Sequence, residues 1–543
     1  MPADRGLNRA PEQGFLALSL EALVIVITFL SARDIRRLAS TCRRLRYLTT
    51  RAADFELSFA GEWDLMRYYL QRPLYMLPQS LLLQSFKLMD GSTRNQNAAI
   101  LLSTILLNAW NLRHLVLHDC QKLVNIHPPL GRAIARLQRL TSLELDYGGP
   151  DTINIFTEMR SRPKHIYYLN DPQHKEGEVD FSPLFKSQAI RDVESLHIYG
   201  FNAEHLGPRT ANPWESASIM EDWEPIPSVR ELVLGASELP KKQIARLFPN
   251  LQRLTLEDVT DMFGDTGNHE ADWPSLHSLC AELHDLTTWE LRSRVHHLEV
   301  ETTTGPAKGM MKPMEEMSFM VATVRDTSPT VLSLPNHQLT PNDELLFWKD
   351  LSASAGGLVG LEVVIREINL PMWRMDCVHQ LARLQPAVLK VHILTKIDRL
   401  TPRAARNRSA FARSNLFPDL ASEFACLIPT LRYLSLGLKW DEEGDEKGDE
   451  EGGEEGGEEG GEGDAEGDAE GDEEGDAEGD EEGDEEEDEE GDEDEMDVDH
   501  FAWWRVSLTE DGEHMPEVIS THEGESLFEE LLFDKSIEPS AIE

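Results

Sequence analysis

The strongest constraint on this 543-residue chain is a recurring phrase in which an apolar residue is followed by others at plus three and plus five. It occurs at Leu112, Leu115 and Leu117, at Leu140, Leu143 and Leu145, and at Val193, Leu196 and Ile198. Further copies begin at Val229, Leu251, Leu276 and Val295, with weaker ones around Leu332, Leu358 and Leu389 and a last clear one at Leu431. The starts from 112 to 295 are 28, 53, 36, 22, 25 and 19 residues apart. Side chains alternate along a strand, so each Leu-x-Leu buries two residues on one face. A unit that buries only one face needs neighbours to complete its core.

That spacing is the spacing of a leucine-rich repeat with insertions. The fold class expected is α/β: a small amino-terminal helical module followed by an irregular leucine-rich-repeat solenoid over residues 55–440. Ala133 to Leu137 and Gln243 to Phe248 read as helices returning between strands. An ordinary α/β domain with several leucine-rich strands is the alternative, because the asparagine ladder of regular repeats is missing. The concave face of a solenoid is the expected binding surface. Arg113, Glu144, His197, Glu231, Thr255 and Glu299 stand between the buried residues and are expected there. Their chemistry is mixed, so the protein substrate is left unknown.

The net charge of −48 is concentrated in one tract: residues 441–499 hold 38 acidic residues against one lysine, leaving 61 acids and 50 bases elsewhere. With no aromatic residue and no β-branched one before Val498, that low-complexity insert is expected to be disordered. Basic proteins, histones among them, are possible partners for it. Beyond it, Phe501, Trp503, Trp504, Val506 and Leu508, then Leu527, Phe528, Leu531, Leu532 and Phe533, need a partner to bury against. A strand and helix over residues 500–535 are expected to pack on the last repeat, with 501–508 beside 431–440, making the insert a long loop.

Two short helices are implied near the amino terminus. Ser19 can cap the first, and Leu20, Leu23, Ile27 and Leu30 recur at helical spacing. Ser31 can cap the second, in which Ile35, Leu38, Ala39, Cys42 and Leu45 trace one face and five arginines fill the others. The apolar run Ala22 to Leu30 is too short to span a membrane, which takes about 20 apolar residues. No basic stretch directly precedes it, as a secretory peptide would need.

In these residues the chain resembles the F-box family. Leu18 and Glu21, Leu30-Ser31, Asp34-Ile35 and Thr41-Cys42-Arg43-Arg44-Leu45 match its pattern in order and spacing, with Ser19 where members usually carry proline. The resemblance covers residues 16–48 and extends weakly over the repeats, since many fungal F-box-like proteins carry degenerate ones. It implies a module that docks on a Skp-type adaptor and through it a cullin and RING ubiquitin ligase. By match, Leu18, Leu20, Leu23, Ile27, Leu30, Ile35 and Leu38 are the candidate adaptor contacts.

The five cysteines form no C-x-x-C pair and fit a reduced cytoplasmic or nuclear compartment. No phosphate loop, nucleophile elbow, zinc helix or dinucleotide fingerprint occurs. His296 and His297 fall within one expected strand, so their rings face opposite sides. The expectation is a non-enzyme with no cofactor, metal, membrane or specific nucleic-acid site. It is a substrate adaptor for a ubiquitin ligase, or alternatively a repeat scaffold that holds basic partners without a ligase.

Overall fold

The computed structural model describes residue 37 and residues 56–71, 83–90, 96–170, 179–202, 220–261, 273–289, 291–301, 313–334, 341–396, 415–441, 500–509 and 511–533. The adaptor-contact candidates and residues 442–499 of the acidic tract lie outside the described residues.

Among the described residues, sixteen strands form one sheet in strict chain order. They are β1 (Glu56–Phe59), β2 (Ser85–Leu88), β3 (His114–Leu117), β4 (Ser142–Gly148), β5 (His165–Asn170), β6 (Ser195–Tyr199), β7 (Glu231–Leu239) and β8 (Arg253–Asp261). They continue as β9 (Ser275–Glu282), β10 (Arg294–Glu301), β11 (Val331–Leu334), β12 (Gly360–Arg366), β13 (Val388–Lys396), β14 (Tyr433–Asp441), β15 (His500–Leu508) and β16 (His514–Ile519). Every pairing from β1 to β14 is parallel. β14, β15 and β16 pair antiparallel. A parallel sheet in chain order that advances one strand per repeat and never closes is a leucine-rich-repeat solenoid.

The middle apolar residue of each phrase builds the core. Leu115, Leu143, Ile166, Leu196, Leu232 and Leu254 stand opposite one another in register, and all are buried. The row runs on through Leu279, Leu298, Leu332, Leu361, Leu389 and Leu434. Behind it lie the return segments. They include α1 (Glu62–Gln71), α2 (Gln96–Asn108), α3 (Cys120–Ile126), α4 (Pro129–Arg136), α5 (Lys241–Leu247) and α6 (Leu283–Trp289). Then come α7 (Pro313–Thr327), α8 (Pro341–Ser354), α9 (Val378–Leu384) and α10 (Phe417–Leu427).

The reasons for these helices are local. α4 starts with proline at its first turn, where the missing N–H costs nothing. Its Leu130, Ala133 and Ile134 share the buried stripe. α10 opens the same way and buries Phe417, Leu420, Ala421, Phe424 and Ala425, the i, i+3, i+4, i+7, i+8 pattern of a core-facing helix. Between β4 and β6 single helical turns replace longer helices among the described residues.

A second regularity is carried by the backbone alone. At the entry to nine of the strands, two successive N–H groups donate to one carbonyl of the preceding repeat. Arg113 and His114 donate to Gln84, Thr141 and Ser142 to Arg113, and Lys164 and His165 to Thr141, at 2.8–3.1 Å. Glu194 and Ser195 then donate to Lys164, Arg230 and Glu231 to Glu194, and Gln252 and Arg253 to Arg230, at 2.8–3.1 Å. Val359 and Gly360 on Thr330, Ala387 and Val388 on Val359, and Arg432 and Tyr433 on Ala387 repeat it at the other end.

Arg230 is exposed and both accepts and donates in this chain of bonds. Arg230→Pro removes its donor and is expected to lower stability by about 2 kcal/mol or more, whereas Arg230→Ala stays within about 0.5 kcal/mol. Urea unfolding of the two variants checks this, and equal midpoints would refute the role given to the backbone.

Candidate protein-binding face

On the side of the sheet away from the return segments, the residues between the buried positions form rungs. The central rung runs Glu144, Tyr167, His197, Val233, Thr255, Cys280, Glu299, Ser333, Glu362, Lys390 and Ser435, each opposite the next. Glu144, His197, Thr255 and Glu299 thus stand where expected, and Glu231 occupies the neighbouring rung. Arg113 does not: β3 begins at His114, Arg113 precedes it, and Val116 holds that rung. Position within the phrase misplaces it because a strand's first residue is set by hydrogen bonds, not by the leucines.

The face divides in two. Over the last strands it is covered by α11 (Thr521–Phe533). Phe528 and Leu531 of α11 pack with Val331, Val359, Val388 and Trp503 in a core separate from the main one. α11 sits close to the sheet because it carries glycine where it meets Trp503: a Cβ on Gly524 would lie 2.2 Å from the indole Cγ. Gly360 likewise leaves room for Leu531. Trp503 Nε1 donates to Glu525 (3.0 Å), and Arg505 pairs with Glu523. His296 and His297 do not face opposite sides as expected: His296 has no partner in the β9–β10 register, and both rings find partners on the covered face. His296 Nε2 meets the Leu531 carbonyl (2.9 Å) while His297 Nε2 meets Ser333 Oγ (3.1 Å).

Beneath α11 lies a charged network. Glu362 accepts from Ser333 Oγ (3.0 Å) and from His392 Nε2 (2.7 Å), and Lys390 Nζ lies 3.3 Å from it. The one O–H of Ser333 goes to the carboxylate, so His297 must donate to Ser333 from Nε2. Burial pushes the Glu362 carboxyl up, but His392, Lys390 and Ser333 together reverse this and hold it at about 2. Burial keeps His297 neutral, down to about 4.

From β4 to β10 the face is half-exposed. Tyr167 and Tyr199 lie with ring centroids 5.5 Å apart, and Tyr199 donates to Glu257 at 3.2 Å. The Cys280 thiol donates to Glu301 (3.1 Å). Burial raises that thiol's pKa, with Glu299 and Glu301 adding to it. Among the described residues, Cys280, Glu299 and Glu301 are a group whose donor atoms all lie within 4.8 Å and could hold a metal ion. No helix of the described residues is long and apolar enough to cross a membrane.

Fold and face define a repeat protein built to present a sheet surface. Comparison with protein families adds the other half: residues 15–53 match the family model of the F-box domain, enclosing the segment 16–48 that resembles that family. No curated protein matches the chain. Among solved structures, an internalin from Listeria monocytogenes is similar at 12% identity, covering 58% of this chain and 77% of that one, with a TM-score of 0.21. The repeat architecture rests on the strand order itself rather than on that likeness. Of the amino-terminal module only Arg37 is described, and it is exposed.

A carboxyl held below its unfolded value of 4.5 contributes stability above that pH, and the contribution is lost as pH falls towards 2. For Glu362 it is on the order of 3 kcal/mol. Glu362→Gln is therefore expected to be less stable than wild type at pH 7 and to converge on it between about pH 4.5 and 2. Thermal melts across that range test it, and a constant difference would refute it.

Proposed function

We propose that the chain is a substrate-recognition adaptor of an SCF-type ubiquitin ligase. In this reading the F-box segment docks on a Skp-type adaptor, which links it to cullin and RING subunits, and the repeat sheet binds a protein substrate. The observation that carries the reading is the match of residues 15–53 to the F-box domain, followed along the chain by a solenoid with a half-exposed sheet face. The division of labour suits the physics. A helical segment of some 40 residues buries too little to stand alone and gains by docking on a partner, whereas stacked repeats give a rigid surface. In this role the chain performs no chemistry itself and works in the cytoplasm or nucleus, where that ligase machinery acts.

Leu18, Leu20, Leu23, Ile27, Leu30, Ile35 and Leu38 are the proposed adaptor contacts. A charge in the centre of such an apolar contact costs several kcal/mol, so Leu23→Asp and Leu30→Asp are each expected to abolish co-precipitation with a Skp-type adaptor that the wild-type chain captures. Equal capture by all three proteins would overturn the assigned contacts, and no capture by wild type would overturn the adaptor role.

A further inference from the structure

The reading of the sheet as a substrate surface leaves the substrate's chemistry open, and the uncovered part of the face narrows it. Between β4 and β10 it presents the carboxyl groups of Glu144, Glu231, Glu257, Glu282, Glu299 and Glu301. Against them stands Arg253, which already pairs with Glu231 at 3.5 Å. Glu257 and Glu299 are held above the usual carboxylate range by burial, and Glu301 repels both. Like charges kept this close on adjacent strands are destabilising unless a cation joins them.

Three further observations point to the kind of cation. Asp146 is nine-tenths buried, with 8% exposed. Its Oδ2 meets His118 Nε2 at 2.8 Å while its Oδ1 has no hydrogen-bond partner. On the neighbouring strands Tyr167 and Tyr199 place two rings beside the carboxylates, the combination that holds ammonium and guanidinium groups. At its covered end, finally, the same face already seats such a group. Lys390 Nζ lies 3.3 Å from Glu362 and 3.8 Å from Glu525, over the rings of Phe501 at 4.8 Å and Phe528 at 5.1 Å.

We propose that the face from β4 to β10 binds a Lys/Arg-rich segment of a protein substrate, with basic side chains set among the carboxylates and against the Tyr167–Tyr199 rings. This rests on the adaptor reading only for the word substrate; the binding itself does not require the ligase. Seven strands about 4.8 Å apart span about 29 Å, the length of an extended segment of about nine residues.

The test uses the full chain and a fluorescein-labelled oligolysine of about nine residues, read by fluorescence anisotropy at near-physiological salt. The acidic tract is present in every protein, so differences between variants report the face. The triple variant Glu257→Gln, Glu299→Gln, Glu301→Gln is expected to bind about tenfold or more weakly than wild type. A control that removes the same charge elsewhere, Glu517→Gln, Glu529→Gln, Glu530→Gln, is expected to stay within about twofold. Should the first triple melt early, Glu301→Gln alone, at an exposed position, is expected to lose about threefold. Equal binding by face variant and wild type, or equal loss in both triples, overturns the proposal. Capture of a Skp-type adaptor, measured on the same samples, is expected to be unchanged in every variant. Its absence in wild type would fail the ligase role and leave the basic-segment proposal standing.

Discussion

The solenoid depends on one recurring interaction, the carbonyl at a strand entry that accepts two successive amides from the next repeat, seen from β3 to β8 and again from β12 to β14. It is made by backbone alone, so it places no demand on the side chain that carries it. Arg113, Thr141, Lys164, Glu194, Arg230, Val359 and Ala387 all serve as donors. This is why the repeat survives without an asparagine ladder. Successive strands are locked in register at their entry, and the row of buried leucines needs only to fill the space behind them. Proline is the one residue that could not stand at a donating position, and none of the donors is proline.

Because register is set at the entry, the ends of the sheet need separate treatment. β15 reverses direction and sends Trp504 and Val506 into the main core and Trp503 to the other side, where α11 meets it. β16 is then an edge with exposed Met515 and Val518, and it carries Pro516 opposite Val506. A proline removes a donor from an edge and blunts its pairing with another chain. The tryptophans therefore close the last repeat on both faces of the sheet.

The leucine phrase made much of this legible in advance: β3, β4 and the strands from β6 to β14, the helices at Pro129–Arg136 and Lys241–Leu247, and four of the rung residues follow from spacing alone. The strands at Ser85–Leu88 and His165–Asn170 escaped because Phe86, Ile166 and Tyr168 take leucine's place. Arg113 was misplaced because spacing does not report where hydrogen bonding begins. That a helix near the end packs on the last repeat was expected, but the face it covers could not be read. It depends on Gly524 meeting Trp503 and on Leu531 meeting Gly360, a contact 171 residues apart in the sequence, and a glycine in a helix signals nothing about what approaches it. The concentration of charge on the face was equally hidden. Glu257, Glu282 and Glu301 are scattered in the sequence, and only the parallel register of β8, β9 and β10 brings them close together.

The two halves of the face show how one architecture treats the same chemistry differently. Where α11 covers it, Glu362 is matched by Lys390, His392 and Ser333, and the burial that would raise its pKa is outweighed by those partners. Where the face is open, the carboxyls of Glu257 and Glu299 are raised because neighbouring acids add to burial instead of opposing it. A fold selected only for stability would spread such charges or pair them, as it does beneath α11. Retaining them together on a half-exposed surface costs stability in the free protein, and that cost is recovered when a cationic partner arrives.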